Sequence, residues 1–262
     1  MSKILFSGCS YTDGTGFESG KNESGLWVNL LHSNNRQFKN LDLVNSGLGG
    51  RSNAGIFQDT VWHISRNDFK FAIVSWTDMP RYELELGLEN YNTRQFFIPN
   101  GPTRTHNLND VVYDQQYLDK IRDRFVSLAH LHHEIKTLIY YVNALIEVSK
   151  KFKTKLFFIN ALCPWDNNYF KRLADISPTD TTEFTRHQLN LDNRDDKEFF
   201  SLYKKIHDEY DEAGGIQESH WLNLYNSLRS NQIDVNQDGS HPGLESNKIY
   251  YKFLDQALQQ IL

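Results

Sequence analysis

Apolar residues gather in four short runs that do not alternate with polar ones: Lys3–Ser7 (KILFS), residues 41–45 (LDLVN), residues 71–76 (FAIVSW) and Lys155–Asn160 (KLFFIN). A strand with one face in water alternates, whereas a strand covered on both faces reads as a nearly continuous apolar run. The four runs therefore predict central strands of a parallel sheet. Between them the apolar period lengthens to three and four residues, as in amphipathic helices. Residues 25–34 carry Leu26, Leu30 and Leu31, and Asn53–Arg66 carries Ile56, Val61 and Ile64. The longest helical pattern runs over residues 117–151, from Leu118 to Leu145, as one helix or as two broken near Ser127. Further helical patterns cover residues 195–213 and 246–262. Strands alternating with helices predict a doubly wound α/β sandwich.

Two stretches break that rhythm. Residues 84–116 follow the third strand and residues 164–194 the fourth, and both are rich in Asn, Thr and Pro. In an open parallel sheet, loops at the carboxyl ends of the strands border the ligand crevice. Both are read as cap loops over a site, within one domain spanning residues 1–262, with surface decoration as the alternative.

Composition narrows the function classes. Residues of hydrophobic type make up 39% of the 262, and aromatics 13%, enough for a sizeable core. Lys and Arg number 28 against 33 Asp and Glu, so no basic excess exists to bind a phosphate backbone, and nucleic acid is not an expected partner. No apolar run approaches the ~18 residues that span a bilayer, so no membrane association is expected. The start MSKILFSGCSY is interrupted by polar residues and reads as a first strand rather than a signal segment. The two cysteines, Cys9 and Cys163, cannot build a disulfide framework. The expected location is the cytoplasm, or the host cytoplasm if the protein is viral.

The chemistry-bearing residues sit at element ends. The first strand runs into Gly8-Cys9-Ser10, which can project a serine hydroxyl into the crevice; a turn serine capping a helix is the plainer reading. Near the other end, Asp238-Gly239-Ser240-His241-Pro242 precedes the final helix. An Asp three residues before a His can hold imidazole Nδ1 while Nε2 faces a serine brought from strand one. The pair of motifs together is far more specific than either alone.

With both motifs in place, the chain resembles the SGNH (GDSL-type) hydrolase superfamily, especially versions from large tailed-phage genomes. The family's Gly-Asp-Ser block matches Gly8-Cys9-Ser10, and its Asp-x-x-His block matches Asp238 and His241. Its Asn five residues before an oxyanion-hole Gly matches Asn45 and Gly50. The resemblance implies a flavodoxin-like three-layer fold of about five parallel strands, ordered 2-1-3-4-5, with residues 232–235 as a guess for the fifth. It also implies a Ser10-His241-Asp238 triad acting on an acyl ester, carried by a small molecule or a glycan. The oxyanion would rest on the amides of Ser10 and Gly50. No metal or organic cofactor is implied.

One block departs. Where the family has Gly-x-Asn-Asp, this chain has Ser75-Trp76-Thr77-Asp78, so Thr77 stands where an oxyanion-binding Asn is expected. A threonine hydroxyl donates one hydrogen bond but is shorter than a carboxamide. Two alternatives follow: a weak or inactive binding or structural protein of the same fold, and an O-acyltransferase using the same triad. Trp76 and Trp165 lie at strand ends where an acyl or sugar face can rest, and Arg81 and Glu83 are placed to bind a polar substrate or to form an ion pair. His130, His132 and His133 read as a helix face rather than a metal site. Cys9, pointing opposite to Ser10, is expected to pack beneath the sheet end.

Overall fold

The structure is a computed structural model, and it describes residues 2–77, 82–85, 94–97, 104–106, 131–162, 220–222 and 227–262. Four parallel strands form the central sheet: β1 (Lys3–Ser7), β2 (Asp42–Asn45), β3 (Phe69–Trp76) and β7 (Lys155–Asn160), in the order β2-β1-β3-β7. The helices are α1 (Ser10–Asp13), α2 (Trp27–Asn34), α3 (Asn53–Arg66), α4 (Leu131–Phe152) and α5 (Leu244–Ile261).

The sandwich follows from the strand pattern. Leu5, Val74, Trp76 and Phe158 point to one face, where they meet Ile56 and Ile64 of α3 and Leu138, Val142 and Leu145 of α4. Ile4, Phe6, Ile73 and Phe157 point to the other, against Val28 and Leu31 of α2 and Tyr250, Leu254 and Leu258 of α5. Strands β1, β3 and β7 are buried on both faces over most of their length, which is why those runs are continuously apolar. By contrast β2, expected to be central as well, is an edge strand with Asp42 exposed and its other residues half-buried.

Several boundaries differ from the expectation. The segment 232–235 is not a fifth strand: Val235 instead bridges Pro242 in an antiparallel pair. The free edge of β7 is met by Trp221, in a parallel bridge with Phe158, and the Leu222 amide donates to Phe158 O at 2.9 Å. Residues 84–116 are not loop throughout: β4 (Tyr82–Glu85), β5 (Arg94–Phe97) and β6 (Arg104–His106) form a three-stranded antiparallel sheet. The segments 117–130, 164–194 and 195–213 lie outside the described residues.

Helix α5 starts two residues earlier than its apolar period suggests, and the reason is a remote cap. Its N-cap, Gly243, has no side chain to offer, and Asp234 supplies the acceptor instead. The Asp234 carboxylate accepts from the amides of Glu245 (3.0 Å) and Ser246 (2.7 Å) and from the Ser246 hydroxyl. Ser246 Oγ in turn accepts from the Ile233 and Asp234 amides at 3.0 Å each. Burial pushes the Asp234 pKa up, but these hydrogen bonds outweigh it and hold it below the ordinary carboxylate range. A depressed carboxylate stabilises the fold above its unfolded pKa, and that contribution is lost as pH falls through the folded one. Asp234→Ala should therefore cost about 1–2 kcal/mol at neutral pH. Thermal unfolding of the two proteins should converge on acidification; a gap that persists undiminished in acid would rule out the ionised cap.

Candidate active site

Chain geometry at the end of β1 buries a serine. Gly8 leaves the strand so close to α1 and β3 that a Cβ there would overlap the Thr12 hydroxyl and lie 2.9 Å from Ser75 Cβ. Cys9 follows in extended backbone as the N-cap of α1, its carbonyl accepting from the amides of Thr12 (2.9 Å) and Asp13 (3.2 Å). Its side chain is buried in the core between the sheet and helices α2 and α5, as expected. Ser10 opens the helix and is 5% exposed.

The segment after β2 closes over this turn. Asn45 Nδ2 donates to Thr12 O at 2.8 Å, and Asn45 Oδ1 accepts from the Gly47 amide at 3.0 Å. The Leu48 amide reaches Gly8 O at 3.1 Å. Gly49 then passes above Ser10: a Cβ on it would lie 3.9 Å from Ser10 Cβ and 2.9 Å from Thr15 Oγ1. Gly50 has φ +78°, in the region that favours glycine. Arg51, nearly fully buried, ties the segment back, donating to Ser46 O at 3.3 Å and pairing with Asp59 of α3 at 3.2 Å.

Thr77 leaves β3 under tight control. Its amide donates to Asn53 Oδ1 at 2.9 Å, and Asn53 Nδ2 donates back to Thr77 O at 3.3 Å. Its hydroxyl is buried and has no hydrogen-bond partner among the described residues. The sequence reading missed Arg51 and Asn53; the available signal was their place, directly after Gly50, where α3 begins.

Asp238 and His241 sit on a hairpin closed by the Val235–Pro242 bridge, with the Asn236 amide on His241 O at 2.7 Å. Asp238 Oδ1 accepts from the amides of His241 (2.9 Å) and Ser240 (3.0 Å), while Oδ2 lies 2.5 Å from His241 Nδ1. Burial pushes the Asp238 pKa up, but the two amides and the imidazole outweigh it and hold it at about 2. The Tyr11 ring, one residue after Ser10, meets the His241 ring edge to face with centroids 6.2 Å apart. The backbone of Gly16 (φ +96°) passes beneath the hairpin, where a Cβ would stand 3.0 Å from Asp238 Oδ2.

Ser10, Gly50, Thr77, Asp238 and His241 thus all lie at the carboxyl ends of the strands or on the hairpin beside them. Trp76 does not join them as a substrate face: it is 1% exposed, with its ring 5.8 Å from Phe158 in the core. The alternation that points Val74 and Trp76 toward α3 and α4 accounts for this. Glu83 is in β4, opposite Phe96, while Arg81 and Trp165 lie outside the described residues. His132 and His133 belong to α4, and His130 lies outside.

No family model and no curated protein matches the sequence. Solved structures similar to the chain include GDSL-type lipolytic proteins and esterases. The psychrotrophic esterase EstA from Pseudoalteromonas sp. is 10% identical, with a TM-score of 0.46 over 99% of this chain and 98% of its own. A carbohydrate acetylesterase family member from Sinorhizobium meliloti is 12% identical, with a TM-score of 0.43 over 100% and 99%. A GDSL-like lipase from Bacteroides thetaiotaomicron is 14% identical, with a TM-score of 0.43 over 100% and 89%. At these identities the likeness concerns the fold alone.

The Asp238 environment makes a direct prediction. Carbon-detected NMR should place the titration of its carboxylate near pH 2. The stability it lends is present above the ordinary carboxylate pKa and drains away as pH falls toward that midpoint. A midpoint in the usual carboxylate range would mean that the hairpin does not hold the hydrogen bonds described.

Proposed function

We propose that the chain is a serine-dependent esterase that hydrolyses an acyl ester through Ser10, His241 and Asp238. The observation that carries the reading is the Asp238–His241 pair, hydrogen-bonded at 2.5 Å and set against the aromatic ring next to a buried Ser10. Asp238 accepts at Nδ1, which leaves Nε2 as the basic nitrogen. A carboxylate with a pKa of about 2 stays charged and stabilises the imidazolium that forms during turnover.

In this mechanism Ser10 Oγ attacks the acyl carbon as Nε2 of His241 takes its proton. The carbonyl π electrons move to oxygen, and the oxyanion is received by the amides of Ser10 and Gly50 and by Thr77 Oγ1. Collapse breaks the ester C–O bond, and His241 returns its proton to the departing alcohol. Water then attacks the acyl-enzyme with His241 as base, releasing the carboxylic acid and restoring the serine. The scheme needs no metal or organic cofactor. What supports Thr77 as a donor is its buried hydroxyl without a competing acceptor among the described residues, on a backbone clamped at both ends by Asn53. Specificity in this reading belongs to the insertions near residues 84–116 and 164–194 of a single domain, together with Arg81, Glu83 and Trp165. The substrate is a small-molecule or glycan ester.

Two outcomes are expected. Wild-type protein should hydrolyse short nitrophenyl esters and take up one fluorophosphonate equivalent on the Ser10 peptide. Ser10→Ala should lose both activities while keeping its unfolding temperature; labelling that survives in Ser10→Ala would remove Ser10 from the mechanism. Thr77→Val, close in shape, should lower kcat about a hundredfold or more with KM little changed, the cost of one oxyanion donor. A silent Thr77→Val would show that the hole is filled by another group.

A further inference from the structure

The proposed nucleophile and base are far apart in sequence and belong to elements joined only by non-covalent contacts. Ser10 is fixed by β1 and α1, whereas His241 rides on a hairpin whose outer edge, from Gln237 to Ser240, is exposed. Something must set the distance between them, since catalysis falls steeply when reacting groups are misplaced by as little as an ångström. The Asp238–His241 hydrogen bond cannot do this, because both residues ride on the same hairpin.

The structure assigns that task to a two-residue bridge, Tyr11 and Gln232, resting on the reading of Ser10 and His241 as nucleophile and base. Tyr11 is adjacent to Ser10 and 5% exposed. Its carbonyl accepts from the Trp27 indole N–H at 2.7 Å, which fixes the start of α1 against α2. Its hydroxyl donates to Gln232 Oε1 at 2.7 Å. The Gln232 amide nitrogen then donates to Ser240 O and to Asp234 O, each at 3.3 Å. One carboxamide thus receives the serine segment and holds both arms of the hairpin that carries His241. The Tyr11 ring also closes on the His241 ring, so its position sets both the spacing and the tilt of the imidazole. Tyr11 and Gln232 are positioning residues: neither exchanges a bond or proton with the substrate, and each acts through His241.

The test compares wild type, Tyr11→Phe, Gln232→Leu and the double variant in ester turnover. Tyr11→Phe keeps the ring and removes only the hydroxyl. Each single variant should lower kcat about tenfold with KM within about twofold, as expected for a displaced base. The double variant should be no slower than the slower single one, because both break the same bridge. A Tyr11→Phe rate within twofold of wild type overturns the bridge. So do losses that multiply in the double variant, or that follow a fall in folded protein and disappear on cooling. If wild type neither turns over esters nor reacts with fluorophosphonate, the esterase reading fails by itself. The bridge is then decided by NMR: Tyr11→Phe should shift both the Gln232 side-chain amide and the His241 ring signals, and unmoved signals at both would overturn it.

Discussion

Close approach of two glycine backbones to α1 at the carboxyl end of β1 is the constraint on which the site depends. Gly8 sits where a side chain would collide with Thr12 and Ser75, and Gly47 where one would meet the Asp13 amide at 2.8 Å. Because neither has a side chain, α1 can wedge between β3 and the segment after β2, and Asn45 can bond directly to Thr12 O. The wedge buries Ser10 and brings Gly49 across it. A side chain at Gly47 or Gly49 would lift the segment carrying Gly50 away from the serine turn, and one at Gly8 would push α1 off β3. Arg51 and Asn53 then lock the result from the α3 side, one holding Ser46 O and Asp59, the other holding both backbone groups of Thr77.

The hairpin with Asp238 and His241 is built on a different principle. Among the described residues it has no strand partner in the sheet, and it is held by carboxylates that accept several amides at once. Asp238 takes two amides and the imidazole, and Asp234 takes two amides and a hydroxyl at the start of α5. Both are held ionised below the ordinary range despite the opposing effect of burial. A charged acid is the stronger acceptor, so fold stability and the proposed chemistry call for the same protonation state.

The sandwich was legible because its central strands are buried on both faces, so KILFS, FAIVSW and KLFFIN leave little room for another reading. Asn53–Arg66 was legible from its apolar period alone, while the Ser52 cap, whose side chain accepts from the Gly55 amide at 3.1 Å, emerges only from the structure. What failed was local pattern without tertiary context. Residues 232–235 look like a short strand, yet Asp234 is drawn to the start of α5. Trp76 looks like a strand-end aromatic, but strand parity turns it into the core. The Asn- and Thr-rich character of residues 84–116 hid three short strands. Ser10, Asp238 and His241 stood out by motif, whereas Arg51, Asn53, Tyr11 and Gln232 did not. Each of those four acts on a partner brought close only by folding, such as Gln232 on Tyr11.

The central claim is that Ser10, Gly50, Thr77 and His241 surround one reacting carbon. A crystal structure of the protein after reaction with a fluorophosphonate tests it most directly. The account predicts phosphorus bonded to Ser10 Oγ and a phosphoryl oxygen about 2.7–3.1 Å from both the Gly50 amide and Thr77 Oγ1. His241 Nε2 should face the remaining ester oxygen. An adduct on another side chain, or a phosphoryl oxygen turned away from Gly50 and Thr77, would contradict it.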